Sequence, residues 1–593
     1  MLQRQPQNFD ALHFLGFIAF QTGKSAEAVK LFGAALAINP KDAMAQNNTS
    51  AALVNLGRYD AAVESADAAI ALRADFAGAY NNRGNAFMGL KQFQRAIESY
   101  DRALASNPKL ADALSNRGSA LAELGDNAAA LQSYDRAIAL KPDLAKAYGG
   151  RAIVLDRLGQ WGAALMSWER AVAFEPRVAE YHCGRGGTLR GRKNYDAALQ
   201  SYDRAIALQP NLADAHYNRG LVLFDMGRPE AALQSYDKAV ALQPDFAAAY
   251  NNRGIVLSEL GHHQAAVESY ERAISVRPDY TDAHTNLGMA YLRLGDFDKG
   301  WEHYERRLKN PELGRLVRDF AQPQWTGREP LAGKTILLHN EQGLGDALHF
   351  SRYAKMVSNL GARVILEVPA SLTTSLANLE GVADVVARGE PLPAIDFHSP
   401  LLSLPWAFKT TAQRIPTIAR YVTADPEKVS EWRRRLGEKT RPRIGLTWSG
   451  NAAQKNDHNR SIPFLHFAEL LPEGFDYVSL QKDVRDQDRE ALNARADIMQ
   501  FGDDLKDFSD TAALCELMDL VVTVCTSTAH LAGAMGKPVW VLLSFNPCWR
   551  WLTDRSDSPW YPSAKLYRQA RPGEWKSVFA EVKADLARGD WRR

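Results

Sequence analysis

The chain has few cysteines and lacks any long apolar run. Its 593 residues include four cysteines, Cys183, Cys515, Cys525 and Cys548. Four are too few for a disulfide framework, and their spacing fits no metal site, which favours a reducing compartment and predicts no bound metal. No uninterrupted apolar run approaches the roughly 18 residues of a membrane helix, and residues 1–10 have no signal-peptide pattern. We therefore expect a cytoplasmic protein without a membrane span.

The chain also has almost no net charge. Lys and Arg number 71 against 69 Asp and Glu, which gives a formal charge of +2. This balance leaves no overall electrostatic attraction for nucleic acid or an anionic membrane, so we expect no nucleic-acid partner. With 46% hydrophobic and 24% charged residues, the composition is typical of a soluble globular protein. The length exceeds what one core can organise, so several domains are expected.

The first half of the chain repeats itself every 34 residues. Small residues keep this step at Gly16, Ser50, Gly84, Gly118, Ala152, Gly186, Gly220, Gly254 and Gly288. A second small series runs from Ala28 to Gly300 at the same step, an aromatic residue follows four positions later in most units, and a proline closes most units. This pattern is typical of tetratricopeptide repeats, in which each unit is a pair of helices. The sequence predicts an α-solenoid of about nine units over residues 1–309.

Asparagine recurs two residues before the small series. The row consists of Asn48, Asn82, Asn116, Asn218, Asn252 and Asn286, and Gly150 and Gly184 interrupt it. A side-chain amide has both a donor and an acceptor, which matches the backbone of an extended peptide. The row resembles the asparagine ladder of the nucleocytoplasmic O-linked N-acetylglucosamine transferases, and this resemblance implies a protein or peptide held in the repeat groove. The alternative is that asparagine is simply a common residue at this repeat position.

The second half has the pattern of an α/β protein. After a connecting segment, 310–332, strand-like runs at 335–338, 363–368 and 382–386 alternate with helical stretches. A second series has strand-like runs at 443–448, 477–480, 521–524 and 539–543. Alternating strands and helices predict parallel sheets that bind ligands at the carboxyl ends of their strands. We predict two Rossmann-like lobes facing a cleft, at 333–435 and 436–593.

A glycine-rich turn at residues 341–346 begins the α/β part. It follows the first strand and includes Gly343, Gly345 and Asp346. A helix that starts at such a turn presents free backbone N–H groups and the positive end of its dipole, which suit an anionic ligand such as a nucleotide. Asp346 has two interpretations, a general base facing the ligand or a cap of its own helix.

Two further turns in the second lobe have residues suited to phosphate. At 526–536 the hydroxyls of Thr526, Ser527 and Thr528 precede His530 at the start of a helix, an arrangement that suits a diphosphate. The turn at 448–451 also follows a strand. Its candidate donor-binding residues are Ser449, Asn451, Lys455 and Arg460. The alternatives are an ordinary helix cap for the first turn and a solvated loop for the second.

These motifs together resemble the heptosyltransferase-like glycosyltransferases of GT-B fold, of the glycosyltransferase family 9 type. Gly345-Asp346 matches the family's Gly-Asp turn, which implies that Asp346 is the general base. Residues 526–536 match the family's Asp-Thr-Gly-x-x-His-Leu donor motif, except that Cys525 replaces the aspartate and Ser527 the glycine. Arg460 lies where the family has a basic residue near the donor phosphates. The resemblance implies an inverting, metal-independent transfer from a nucleotide-diphosphate sugar, without another cofactor.

Three functions are compatible with this sequence. The first is a glycosyltransferase whose repeats recruit a protein acceptor. The second is a glycan or lipopolysaccharide-type glycosyltransferase that uses its repeats for docking. The third is a non-catalytic adaptor with a decayed transferase domain, and Cys525 keeps this alternative open.

Overall fold

The chain divides into two compact units, Met1–Pro244 and Asp245–Arg593. The computed structural model describes residues 8–310, 318–454 and 456–592. The boundary predicted at residue 309 marks a change in sequence type, whereas the compact units divide two repeats earlier. The last two repeats therefore share a compact unit with the α/β part. The lobe boundaries at 332 and 435 stay predictions.

The first unit consists of helix pairs. Within each complete pair the first helix has 13 residues and the second 14. Its helices are Phe9–Gln21, Ser25–Ile38, Ala43–Asn55, Tyr59–Leu72, Ala77–Gly89, Phe93–Ser106, Ala111–Glu123, Asn127–Leu140, Ala145–Arg157, Trp161–Phe174, Ala179–Gly191, Tyr195–Leu208, Ala213–Asp225 and Pro229–Leu242. The described residues thus have the paired-helix architecture that the 34-residue period predicts.

The small and aromatic residues of the repeat meet inside each helix pair. A Cβ atom placed on Gly118 would come 2.9 Å from the ring of Tyr134, and one on Gly220 would come 2.7 Å from the ring of Tyr236. The same ring of Tyr134 lies 2.5 Å from a Cβ atom placed on Gly150 in the following pair. One aromatic side chain therefore contacts its own pair and the next, which holds neighbouring repeats together.

The turn within each pair needs a left-handed residue. Glycine supplies it at most repeats, for example Gly125 with φ of 85°. Lys91 and Lys193 occupy the equivalent positions with φ of 58°, a conformation that costs a residue with a Cβ atom about 1–2 kcal/mol. The packing of the flanking helices evidently outweighs this local cost.

The second unit starts with the last repeats. Its first helices are Ala247–Glu259, His263–Val276, Thr281–Leu294 and Phe297–Tyr304, followed by the 3-10 helix Glu305–Lys309. Trp301 is buried, donates from Nε1 to the carbonyl oxygen of Thr410 at 2.9 Å, and packs edge-on against Trp549. These contacts join the last repeat to the α/β core.

Four parallel strands form the first sheet. The strands are β1 (Thr335–His339), β2 (Arg363–Val368), β3 (Asp384–Ala387) and β4 (Phe397–Pro400), in the order β3-β2-β1-β4. The third strand starts two residues later than predicted, and β4 was not predicted. Strand order reverses between β1 and β4, so ligands are expected at the carboxyl ends of these two strands.

Six parallel strands form the second sheet. They are β5 (Arg443–Thr447), β6 (Asp476–Ser479), β7 (Ile498–Gln500), β8 (Leu520–Val524), β9 (Val539–Leu543) and β10 (Ala564–Arg568). The order β7-β6-β5-β8-β9-β10 is that of a doubly wound dinucleotide-binding sheet. Its order reverses between β5 and β8, which are the strands that precede the two predicted phosphate turns. Strands β7 and β10 were not predicted.

Helices cover both sheets. They are Leu344–Phe350, Ala354–Ser358, Ala370–Leu376, Leu404–Ala407, Pro426–Leu436, Asp457–Arg460, Phe464–Phe467, Asp486–Asn493, Phe508–Leu517, Ser527–Ala534 and Lys576–Arg588. Short 3-10 helices lie at Ser351–Tyr353, Leu401–Ser403, Ala468–Leu470, Gly502–Asp504, Trp549–Trp551 and Asp590–Arg592. Across the described parts of the chain, every helix is too short or too polar to span a bilayer.

The contact between small and aromatic residues predicts opposite effects at two glycines. Gly84→Ala places a methyl group into the ring of Tyr100, whereas Gly33→Ala meets nothing within 4 Å. We expect Gly84→Ala to destabilise the chain by about 1–3 kcal/mol and Gly33→Ala to stabilise it by up to about 1 kcal/mol. Urea unfolding, followed by the helical circular dichroism signal, gives the unfolding midpoint of each variant. Equal midpoints for the two variants would contradict this packing.

Candidate functional site

The segment after β1 leads into a helix that Gly343 caps. The helix is Leu344–Phe350, and the Gly343 N–H donates to Asp346 Oδ2 at 3.1 Å. The other oxygen, Oδ1, forms an ion pair with Arg550, which follows β9 of the second sheet. Asp346 is therefore both a helix cap and an ion-pair partner. Its carboxylate links the two sheets.

Gly345 lies where the helix Leu344–Phe350 meets the helix Ser527–Ala534. A Cβ atom on Gly345 would come 2.8 Å from His530 Cδ2 and 3.5 Å from the Cα atom of Ser527. A side chain at this position would push the two helices apart. Gly345 thus allows the predicted acceptor turn and the predicted donor turn to come together.

His530 is buried and held by aromatic side chains. Its ring stacks on Trp551 with centroids 5.3 Å apart, and its Nδ1 lies 3.0 Å from the Tyr561 hydroxyl. The same hydroxyl lies 2.8 Å from Nδ1 of His349. Because a hydroxyl has only one hydrogen, at least one of these Nδ1 atoms donates to its oxygen. Tyr561 therefore bridges a histidine from each sheet.

Both histidines are neutral in this environment. Burial lowers the pKa of His530 well below its usual value, and the charges of Arg550, Arg352 and Arg460 lower it further. Burial likewise lowers the pKa of His349. Two of these arginines, Arg550 and Arg460, form ion pairs with Asp346 and Asp457.

Arg460 lies beside the start of the helix Ser527–Ala534. Its Nη1 donates to the carbonyl oxygen of Cys525 at 3.0 Å, and its Nε donates to the buried Asp457 at 3.3 Å. Asp457 also pairs with Arg485, whose Nη2 donates to the carbonyl oxygen of Gly450 at 3.1 Å. Two arginines around one buried carboxylate hold the turn after β5 against the helix start.

The helix Ser527–Ala534 has an open N-terminus. Thr526 occupies the cap position and makes no capping hydrogen bond with its side chain; its hydroxyl lies 3.2 Å from that of Thr523. Among the described residues, the hydroxyls of Ser527 and Thr528 make no hydrogen bond. The start of this helix therefore lacks a side-chain cap, and its role in binding a diphosphate stays a prediction.

The predicted residues of the turn after β5 differ in exposure. Ser449 is buried, its N–H donates to Gln481 at 3.2 Å, and its hydroxyl has no partner within the described part of the chain. Asn451 is exposed, and its side chain accepts from the N–H of Ala453 at 2.9 Å. Lys455 lies outside the described residues. Within this set, Ser449 has a hydroxyl without a partner in the described structure, and Arg460 lies beside the start of the helix Ser527–Ala534.

Cys525 stands where the donor motif that this segment resembles has an aspartate. Its Sγ accepts from Trp551 Nε1 at 3.0 Å, and burial raises the thiol pKa to about 11. A thiol with this pKa is neutral at pH 7, so Cys525 provides no carboxylate for a sugar hydroxyl. The sequence had identified this substitution but not the tryptophan that it contacts.

Sequence reasoning missed Arg550 and its neighbours. Arg550 is buried, its Nη1 donates to Cys548 Sγ at 2.9 Å, and its guanidinium lies 4.4 Å from the centroid of the Trp549 ring. Its Nε has no hydrogen-bond partner in the described structure. The signal was present, because Trp549-Arg550-Trp551 follows β9 at the same edge of the sheet as the two predicted turns.

Sequence reasoning also missed the buried pair of Arg307 and Glu341. Arg307 Nη2 donates to Glu341 Oε1 at 2.6 Å and to Ser403 at 2.9 Å, and Nη1 donates to Glu305 at 2.8 Å. Glu341 Oε2 has no partner in the described regions. Burial raises the pKa of Glu341 to about 7, although Arg307 opposes this rise. Arg307, at the end of the last repeat, thus forms a buried ion pair with Glu341, the first residue of the glycine-rich turn.

The asparagine row forms a ladder between repeats. Asn82 Nδ2 donates to Asn47 Oδ1 at 2.9 Å, and Asn116 Nδ2 donates to Asn81 Oδ1 at 3.0 Å. In the second unit, Asn286 Nδ2 donates to Asn251 Oδ1 at 3.0 Å. Each donor and acceptor here are 35 residues apart in the chain. The amide donors thus join neighbouring repeats, which the sequence interpretation had not anticipated.

The rest of the row varies in its partners. Asn48 Nδ2 lies 3.0 Å from His13 Nε2, and Asn218 Nδ2 lies 3.9 Å from Cys183 Sγ. Asn252 Oδ1 accepts from its neighbour Asn251 at 3.2 Å. The carbonyl oxygens of Asn82, Asn218 and Asn286 accept no hydrogen bond among the described residues. These three carbonyl oxygens are therefore available as acceptors for a peptide.

Family models match the repeats. A model described as tetratricopeptide repeat matches residues 15–80, 81–145 and 251–311, another of that description matches 211–279, and one described as TPR repeat matches 186–227. Roughly the first 310 residues are tetratricopeptide repeats. Protein FlbA of Caulobacter vibrioides is 26% identical over 290 residues, which are 44% of this chain and 48% of that protein. The chain thus spans about half the length of this curated relative.

Solved repeat structures also resemble the chain. They include the APC/C hetero-tetramer Cut9-Hcn1, at 15% identity, with 45% of this chain and 52% of that chain covered and a TM-score of 0.39. A tetratricopeptide repeat protein from Parabacteroides merdae is 18% identical, with 42% of this chain and 98% of that chain covered and a TM-score of 0.35. YrrB, titled a TPR protein with an unusual peptide-binding site, has 24% identity, coverage of 32% and 96%, and a TM-score of 0.27.

The buried Glu341 predicts a pH-dependent stability. Its pKa is raised from 4.5 to about 7 in the folded chain. The stabilisation that comes from this shift is therefore complete below about pH 4.5, and the free energy of unfolding loses it as the pH rises through about 7. Relative to Glu341→Gln, the wild-type melting temperature should therefore fall between pH 5 and pH 8. Glu473→Gln, a change at an exposed carboxylate, should keep the wild-type slope. Parallel slopes for wild type and Glu341→Gln would refute the assignment.

Proposed function

We propose that residues 333–593 form a GT-B glycosyltransferase that uses a nucleotide-diphosphate sugar. We further propose that the tetratricopeptide repeats recruit its acceptor, a protein. The observation that carries this proposal is the open start of the helix Ser527–Ala534 at the strand-order reversal of the second sheet. Parallel α/β sheets bind nucleotides at such reversals, and a helix start there suits phosphate.

The donor diphosphate would bind at this helix start. The N–H groups and hydroxyls of Ser527 and Thr528 are available, and Arg460 lies against the preceding carbonyl oxygen of Cys525. Arg550 supplies a second cation nearby, because its charge contributes to the lowered pKa of His530. Guanidinium groups fixed by buried carboxylates stabilise the diphosphate that develops as the sugar leaves. Neutral His530 forms the aromatic wall of this site with Trp551.

Asp346 would act as the general base. As an acceptor hydroxyl attacks the anomeric carbon, the bond from that carbon to the diphosphate breaks and the hydroxyl proton passes to Asp346. Each carboxylate oxygen of Asp346 has one protein partner, Gly343 N–H or Arg550, so each retains a lone pair for the proton. Arg550 therefore contacts the base while its charge also reaches the donor site.

The acceptor would bind along the repeats through its main chain. In the first unit, the free carbonyl oxygens of Asn82 and Asn218 can accept from the N–H groups of an extended peptide. Such contacts depend little on the peptide's sequence. They favour a protein acceptor over a glycan, which lacks a regular series of N–H groups.

A non-catalytic adaptor is the second candidate. Two observations favour it, namely the neutral Cys525 in place of the family aspartate and the engagement of Asp346 by Arg550. In this case the α/β part would retain its fold without transferring sugar. Cys525→Asp separates the candidates, because a silent protein that gains donor hydrolysis would have a decayed site.

Nucleotide binding should depend on the start of the helix Ser527–Ala534. We expect UDP, GDP, ADP or CMP to raise the melting temperature of the full chain by mass action. Ser527→Glu adds a negative charge at the proposed phosphate position and should abolish the shift. Ala370→Glu adds the same charge to the exposed first residue of the helix Ala370–Leu376 and should leave it intact. A thermal-shift screen measures both.

The failure of all four nucleotides to shift the wild-type chain would move the assignment to the adaptor. A shift that survives in Ser527→Glu would instead place the nucleotide elsewhere.

Replacing the base should separate chemistry from binding. Asp346→Asn retains an oxygen for the Gly343 N–H but removes the basic carboxylate. We expect the rate of donor hydrolysis or transfer to fall about 10²-fold or more, while the nucleotide affinity changes little. Single-turnover assays with the matching nucleotide sugar measure the rate, and thermal shift measures the affinity. An unchanged rate would rule out Asp346 as the base.

A further inference from the structure

The first unit contains a cavity where the asparagine row is interrupted. Its volume is about 770 Å³, and Gly150 and Gly184, which replace two asparagines of the row, both line it. A Cβ atom on Gly150 would come 2.5 Å from the Tyr134 hydroxyl, and one on Gly184 would overlap the ring of Trp168. Aromatic side chains that lean over these positions therefore exclude asparagine. The two glycines contribute backbone without a side chain to the wall of the cavity.

The cavity walls are mainly aromatic and aliphatic. They include Ile153, Trp161, Trp168, Tyr181, Tyr202 and Leu212. Trp161 remains 38% exposed and Ile153 45% exposed, so large apolar surfaces face solvent here. Cavities of this size and lining bind ligands through apolar contact with a few directing polar groups. The volume exceeds that of one side chain.

The unpaired charges of the cavity are negative. Glu180 and Asp214 occupy the same position in consecutive repeats, and neither forms a hydrogen bond or an ion pair with its side chain among the described residues. The other charged groups have hydrogen-bond partners, and that of Lys146 is the neutral amide of Asn116. Arg157 donates to the carbonyl oxygen of Ala122 and pairs with Glu123, and Asp156 accepts from Trp168 and Thr188. The single positive charge of Lys146 is thus outnumbered by the carboxylates of the cavity. The cavity therefore complements a cation next to an apolar group.

We propose that this cavity binds an extended segment of a partner protein in which a large apolar or aromatic residue stands two positions from Arg or Lys, so that both side chains point to the same face. The apolar side chain occupies the cavity beside Ile153 and Leu212. The basic side chain lies on the exposed faces of Trp161 and Tyr181, where a guanidinium or ammonium group interacts with the rings, and its charge reaches Glu180 and Asp214. This cavity gives sequence preference to a groove whose asparagines recognise only main chain. It concerns the partner and does not require sugar transfer.

The test uses fluorescein-labelled nine-residue peptides and the full chain. Each peptide has a Gly/Ser background with a central Arg-Ser-Trp, Arg-Ser-Ala or Glu-Ser-Trp sequence, and fluorescence anisotropy gives the dissociation constant. The Arg-Ser-Trp peptide should bind best. Replacing Trp by Ala should weaken binding about tenfold or more, as for a buried aromatic anchor. Replacing Arg by Glu should weaken it about fivefold or more, since a pair becomes a repulsion.

Two protein variants locate the binding. Gly187→Leu adds a side chain on the cavity wall at a position with room, since a Cβ atom there lies 3.7 Å from the Tyr202 hydroxyl, and it should abolish binding. Gly33→Leu makes the same change in the helix Ser25–Ile38, where nothing lies within 4 Å, and should bind normally. Glu180→Gln with Asp214→Asn should remove the preference for Arg over Glu but retain the preference for Trp. Equal binding of all three peptides, binding unaffected by Gly187→Leu, or no binding at all would overturn the proposal.

Discussion

The close approach of two short helices determines the candidate site. The helix Leu344–Phe350 meets the helix Ser527–Ala534 because Gly345 has no side chain to keep His530 away. This contact places Asp346 within reach of Arg550 and brings a histidine from each sheet to one tyrosine hydroxyl. A glycine–histidine contact thus sets the distance between the turns that would hold the acceptor and the donor.

The repeats and most strands could be predicted because their signals are periodic or local. A 34-residue period is visible without any knowledge of contacts, and buried parallel strands such as β5 and β8 are continuous apolar runs. Strand β7, with three residues, is too short for such a signal. Strand β4 has the sequence Phe-His-Ser-Pro, in which only one residue is strongly apolar. These two strands form through pairing with their neighbours.

For each contact in the candidate site, only one of the two partners could be predicted from the sequence. Asp346, Arg460 and His530 stand in recognisable turns, but their partners Arg550, Cys525 O and Tyr561 come from segments 31–204 residues away or from the backbone. The asparagine row was likewise visible as a pattern, while the use of its donors was not. Asn82 and Asn116 bond to residues 35 positions earlier, a distance that only the stacking of repeats makes short.

The division at residue 244 has a consequence for where the protein can be cut. A truncated protein beginning at residue 333 would lose Arg307, whose guanidinium compensates the buried carboxylate of Glu341, and Trp301, whose ring packs on Trp549. It would leave a charge without a counterion and bare an aromatic surface beneath the glycine-rich turn. The smallest fragment that retains an intact core around the two sheets begins near residue 245, with the last two repeats as its foundation.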